Sequence, residues 1–426
     1  MNLVDLRNYI KTQKGYAFKS KWFIKAGIPI VKVKDFTDDS ISKENVDYIN
    51  DELACDFDRY LLDTNDVIIQ TVGSWASNPN SVVGKAVKVP SALKGALLNQ
   101  NAVKIIPTEK LDKKFLYYTL RTDDFKGYIV NTAQGSASQA SITLESIKNY
   151  NFHLPLLHTQ KRIADILSAC DDLIENNLKR IKLLEQAAQN IYKEWFVNLR
   201  FPGHENTHTN EENGLPDGWE EKKMDSFYSK YIGGGWGKEN FQKGFDKKAY
   251  VIRGTDFNKI RSGSFDSIPL RFHKESNLAS RRLSKGDIIL EVSNGNLNKV
   301  GDVFLVTADI IKVLDLDIIC ASFCKMLRPK TLEMSIFIYH YIIEMNVNGS
   351  MLKYKSESAA GINNFHFKNF LAKETVKFPS QQTLSSFYSI VNPIHKQVSN
   401  MRHQNQKLKA ARDILLPRLM NRTIEV

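Results

Sequence analysis

Cysteine is scarce in this chain. The four present among 426 residues, Cys55, Cys170, Cys320 and Cys324, lack the spacing of a disulfide scaffold, which excludes a small secreted disulfide fold and leaves reduced core residues of a cytoplasmic protein. Long apolar runs are also missing. No stretch approaches the roughly 18 apolar residues of a membrane span, and Met1-Asn2-Leu3-Val4-Asp5 is not a basic segment leading into an apolar one, so a soluble, intracellular chain with no membrane partner is expected. Carboxylates are outnumbered, 47 against 59 Lys plus Arg, for a net charge of +12. That surplus favours a polyanionic partner without identifying it. Apolar, aromatic and charged fractions are those of a globular protein, and the length suggests two to four domains.

Catalytic signatures are missing as well. His204-Glu205-Asn206-Thr207-His208 matches H-E-x-x-H, but it follows Pro202-Gly203 in a polar run with no apolar helix to place both histidines on one face. It reads as a hydrophilic loop, with a zinc hydrolase or nuclease on His204, Glu205 and His208 as the competing idea, decided by metal analysis. Cys320 and Cys324 lie in an apolar strand-like run without a second pair, so a buried structural role is expected. Gly233-Gly234-Gly235-Trp236-Gly237-Lys238 comes near a phosphate loop and fails, because Ile232 replaces the first Gly and Glu239 the Ser or Thr. Pro216-Asp217 with Glu220-Glu221-Lys222 is too compact for a nuclease carboxylate set. No Gly-rich strand-to-helix turn for a nucleoside cofactor and no Asn-Pro-Pro-aromatic tetrapeptide occurs, so no catalytic residue, metal site or cofactor is assigned to this chain.

What is present is a helix from about Thr159 to Leu199. Ile163, Leu167, Cys170, Ile174, Asn177, Ile181, Leu184, Ala188, Ile191 and Trp195 recur at steps of four and three, the pattern of a helix that needs a partner along its length. Phe387, Val391, Ile394, Val398, Met401, Asn405, Leu408, Arg412, Leu415 and Leu419 repeat those steps, each 224 residues after its counterpart. An antiparallel pairing with ends aligned sets Ile163 beside Leu419 and Asn177 opposite Asn405, where two amides can bond and penalise slipped registers. A parallel pairing would face Asn177 with Met401. Pro393 and Pro417 predict a second helix that is kinked or starts late and frays at its end. Some 33 residues of seam at about 1.5 Å each make a spacer of roughly 50 Å.

The segments between the seams repeat too. Ile30–Phe36 matches Val251–Phe257 and Asp66–Ile69 matches Asp287–Leu290, both at an offset of 221. Val83-Gly84 and Val300-Gly301, then Phe115–Tyr117 and Phe337–Tyr339, follow in the same order, as in a duplication with loop-length drift. Strands are expected over 28–33, 66–69, 82–89 and 102–106, with short helices over 113–120 and 141–149. The fold class is a mixed α/β (α+β) chain: two similar globular domains, 1–155 and 219–379, separated by two long helices, 156–200 and 380–426, that form an antiparallel coiled coil. The polar run 201–218 is a linker.

Polar loops stand in corresponding places. Gln70, Ser74, Trp75, Asn78 and Asn80 precede Lys85 in the first repeat, and Asn294, Asn296, Asn298 and Lys299 stand there in the second. Gln134 and Ser136 correspond to Lys353 and Lys355, and Lys32 and Lys34 lie in the motif that carries Arg253 in the second copy. Such side chains read base edges or hold phosphates, and two unlike loops suit two unlike half-sites. The bland alternative is ordinary solvated hairpins.

These residues resemble the specificity subunit of type I restriction-modification systems over nearly the whole chain. The resemblance rests on Gly15-Tyr16-Ala17-Phe18-Lys19-Ser20, Gly27-Ile28-Pro29, Lys34-Asp35-Phe36, Leu154-Pro155-Leu156-Leu157-His158-Thr159-Gln160-Lys161-Arg162-Ile163-Ala164 and Gly214–Trp219. Phe378-Pro379-Ser380-Gln381-Gln382 departs from it by a shortened Pro-to-Gln interval. The resemblance implies two target-recognition domains, each reading half of a split target in double-stranded DNA, with the coiled coil fixing the gap. It also implies two methyltransferase (modification) subunits that use S-adenosylmethionine, and restriction (translocase/endonuclease) subunits that use ATP and Mg2+. Those cofactors belong to the partners. A coiled-coil adaptor that binds proteins is the third reading.

Overall fold

The computed structural model describes residues 3–44, 46–75, 82–136, 139–358 and 361–426. Two compact units form, Met1–Asp172 with Lys409–Val426, and Leu173–Leu408.

In the first unit Val67, Ile68 and Ile69 are buried on both strand faces, which is why they read as a continuous apolar run. They centre an antiparallel sheet of order Ile10–Lys14, Ala102–Pro107, Val67–Gln70, Ala86–Lys88. Its helix Lys113–Thr119 starts at Asp112, whose side chain accepts from Phe115 N at 2.9 Å, an N-cap that leaves Phe115, Leu116 and Tyr118 to fill the core. A second sheet orders Asp47–Ile49, Ile28–Val31 and Leu97–Leu98, the last pair parallel. Leu3–Asp5 pairs with Asn151–His153.

The second unit repeats this strand for strand. Its four-stranded sheet orders Tyr228–Gly233, Cys324–Pro329, Ile288–Glu291 and Val303–Leu305. Its three-stranded sheet orders Leu270–His273, Lys247–Ile252 and Asp317–Cys320, again with the last pair parallel. Glu220–Lys223 pairs with Thr375–Phe378 as the closing ribbon. The same order, sense and chain sequence of strands in both units is the structural counterpart of the internal repeat.

The repeat also explains the glycine-rich run. Gly234 N donates to Cys324 O at 2.9 Å as Gly15 N donates to Ala102 O at 3.1 Å. A Cβ would lie 2.1 Å from Ala321 O at Gly234 and 2.0 Å from Asn99 O at Gly15. Glycine is there because two backbones touch.

The first long helix, Leu157–Tyr192, continues as a π turn over Lys193–Val197 and stops at Leu199, whose φ is 58°. The second, Gln381–Met420, packs against it antiparallel. In the second unit Asn177 Nδ2 donates to Asn405 Oδ1 at 2.9 Å, Ile181 packs with Val398 and Met401, and the Trp195 and Phe387 rings lie 5.9 Å apart. In the first unit Ile163 and Leu419 share one core. Arg412 sits on the seam yet is buried, its Nη1 donating to Asp171 Oδ1 and Asp39 Oδ2, both at 2.8 Å. Burial alone would raise the pKa of both carboxyls. Arg121 and Arg412 hold Asp39 below the carboxylate range, and Lys88 and Arg412 do so for Asp171.

Three expectations are corrected. The second helix does not start late and spans Gln381–Met420, Pro393 included. Ser380 Oγ accepts from Thr383 N at 3.3 Å at its start, and fully buried Phe387 and Val391 before the proline, with Val398 after it, hold the helix through the missing amide. Nor does it fray at Pro417, since Asn421 N donates to Pro417 O at 3.0 Å beyond the last turn. Cys55 is exposed, outside any core, although all four cysteines are free. The polar run before Trp219 is folded: Asn210 N donates to Leu215 O at 2.9 Å, and Phe201, Leu215 and Trp219 are buried.

Candidate nucleic-acid interface

The polar loops predicted as two separate pairs are brought together in each unit. Beyond Gln70 the chain runs on as Val72–Gly73, which pairs with Gln139–Ser141, which pairs with Gln134–Ser136. Trp75 Nε1 donates to Ser136 O at 2.7 Å and ties the first loop to this hairpin. In the second unit Ser293–Asn294 pairs with Asn363–Phe365, which pairs with Lys355–Ser356. Ser293 Oγ donates to Asn364 Oδ1 at 2.8 Å, and Asn363 Nδ2 to Gly295 O at 3.1 Å. Each unit thus carries one small polar sheet at the end of its central strand.

The sheets sort the candidate residues. Gln134 and Ser136 are exposed on the first, and Asn296, Asn298 and Lys299 are exposed on the loop of the second. Asn78 and Asn80 lie outside the described residues. Gln70 is 1% exposed and its Nε2 donates to Val72 O at 2.9 Å, so it supports the loop from below. Asn294 is held at both ends, Nδ2 on Glu291 Oε1 and Oδ1 under Asn296 N, each at 2.7 Å. Asn296 Oδ1 in turn accepts from Asn298 N at 3.0 Å, so the asparagines build the loop that they decorate.

Several basic candidates are likewise committed to the fold. Arg253 clamps Asp256 through Nε at 2.9 Å and Nη2 at 2.7 Å and donates to Ser267 O at 2.8 Å. Lys32 lies 2.8 Å from Asp47 and 3.7 Å from the centre of the Phe23 ring, and Lys34 reaches the same carboxylate at 2.9 Å. Lys85 is half-buried and 3.7 Å from Asp38. Lys355 donates to Asn346 Oδ1 at 3.2 Å, and burial lowers its pKa. Lys353 pairs with Glu374 at 2.7 Å but stays exposed, and Ser74 bridges to Val82. Asn363 and Asn364 stand on the polar sheet of the second unit without having been singled out in the sequence, Asn363 buried and Asn364 exposed.

His204 and His208 do not converge. His204 Nδ1 lies 2.9 Å from Phe201 O, and His208 Nδ1 lies 3.4 Å from Asp217. Among the described residues no group of three or more His, Cys, Asp or Glu could hold a metal ion, and no helix is long and apolar enough to cross a membrane.

What the arrangement can do is present two unlike rows of amides and hydroxyls, one per unit, each stiffened from beneath. Donor and acceptor rows of that kind suit base edges in a groove. The class so defined is a duplicated protein with one small polar sheet per unit and two long helices.

Residues 1–186 match the model of the type I restriction modification DNA specificity domain. The chain is 27% identical over 336 residues to the type I restriction enzyme MjaIX specificity subunit of Methanocaldococcus jannaschii, covering 76% of this chain and 71% of that one. It is 27% identical over 197 residues to the putative MjaX specificity subunit of the same organism, covering 46% and 45%. The fold is that of the crystal structure of the type I system S subunit from M. genitalium, with a TM-score of 0.53 and 15% identity over 98% of this chain and 96% of that one. The chain is similar, in its first 186 residues and across most of its length, to the specificity subunits of type I restriction-modification systems.

Proposed function

We propose that each unit reads one half of a bipartite sequence in double-stranded DNA through its small polar sheet, and that the antiparallel helices set the unread gap. The observation that carries this reading is the strand-for-strand duplication with unlike residues at equivalent edges. Gln134, Ser136 and Gln139 stand where Lys355, Ser356, Asn363 and Asn364 stand in the second copy. The recognition domains are assigned to 1–155 and 219–379 and the spacers to 156–200 and 380–426. The Asn177–Asn405 pair fixes spacer register, because a slip would bury amides without partners.

The subunit works in the cytoplasm as the core of a complex. Two modification subunits bring S-adenosylmethionine and methylate adenine, and restriction subunits bring ATP and Mg2+. Co-expression with the modification subunit followed by methylation-sensitive sequencing tests the reading. One split adenine-methylated motif is expected. An assembled complex that yields no motif overturns it.

A further inference from the structure

The second unit carries a basic and aromatic surface on a different sheet from its polar reading edge. Lys238 joins the Leu270–His273 edge strand through reciprocal backbone bonds with Phe272, each 2.9 Å. That brings the Lys238 and Lys274 ammoniums over one ring, 5.7 Å and 5.1 Å from the centre of Phe245. Lys248 lies 5.7 Å over Phe272, whose centre is 6.2 Å from that of exposed Phe241. Nearby acids are committed elsewhere: Glu239 to Arg271 at 2.9 Å, Asp246 and Glu275 to Lys247 at 3.9 and 3.8 Å. Lys238, Lys248 and Lys274 are exposed and form no ion pair among the described residues. Two ammoniums drawn to one ring repel each other, and an anion between them relieves that repulsion.

The first unit treats the equivalent sheet differently. There Asp47, on the strand equivalent to Leu270–His273, pairs with Lys32 and Lys34. The strand-pairing equivalent of Asp47 is Pro269, so the second copy has no acid at that place.

We propose that Lys238, Lys248 and Lys274, set by Phe245 and Phe272, form a phosphate clamp for the backbone of duplex DNA. The clamp rests on the DNA-specificity reading given above. It supplies affinity without reading sequence.

The test uses the complex assembled with the modification subunit and a duplex carrying the motif mapped for it, with binding measured against salt concentration. Changing Lys238→Ser, Lys248→Ser and Lys274→Ser together is expected to lower the slope of log K against log salt by about two to three, at about 0.9 per phosphate lost. The methylated motif stays the same, and the triple Arg variant keeps the slope. An unchanged slope in an assembled Ser variant overturns the clamp. A wild-type complex with no motif overturns the specificity reading itself, so the two failures are distinct.

Discussion

At the scale of single residues, the repeat supplies its own control experiment. Gln70 and Glu291 occupy the same place at the end of the central strand, and both are buried. The amide of Gln70 donates to Val72 O at 2.9 Å, whereas Glu291 has one carboxyl oxygen without a partner. Burial raises the Glu291 pKa to about 6, Asn294 opposes the rise and Asp302 adds to it. A carboxyl with a raised folded pKa contributes stability that is fully present below the ordinary value of 4.5 and is lost as pH rises through about 6. Glu291→Gln is therefore expected to gain about 1–2 kcal/mol at pH 8 and nothing near pH 4. Thermal unfolding at the two pH values checks this, and an equal shift at both contradicts it. The glutamine was legible in the sequence as a polar residue, but not as a buried one. Strand periodicity cannot tell which polar side chain points under a loop, and that is also why Asn294 read as a free donor.

At the scale of elements, the seam was legible because its spacing depends only on helix geometry. The pairing of Asn177 with Asn405 follows from aligned ends. Arg412 was legible as a seam position and illegible as a charge site, since Asp39 lies far from it in sequence. Its guanidinium satisfies buried Asp171 and half-buried Asp39 in the first unit. Leaving buried carboxylates short of a partner is costly, so Arg412→Met is expected to destabilise that unit by about 3 kcal/mol. Lys88 and Arg121 retain part of the compensation. Denaturant unfolding followed by a first-unit probe measures this, and a loss below about 1 kcal/mol would show that the site is solvated. Pro393 shows the opposite limit of sequence reading: local propensity allowed a late start, and the buried Phe387 and Val391 lie in helix that begins at Gln381, well before the proline.

At the scale of the whole molecule, the duplication was visible as ordered similarity, and the structure gives it meaning as two sets of matching sheets. The joining of each pair of polar loops into one sheet was not legible, because the partner strands are separated by about seventy residues of chain in each repeat. Nothing in local pattern reports a contact across such a separation. One consequence is that each half of the target should travel with one half of the chain. The direct measurement is methylation-motif mapping of an assembled complex in which residues 1–150 are replaced by those of another specificity subunit. One half of the motif should change while the other half and the gap stay as they were; a motif altered in both halves, or in neither, would contradict the assignment of one reader to each unit.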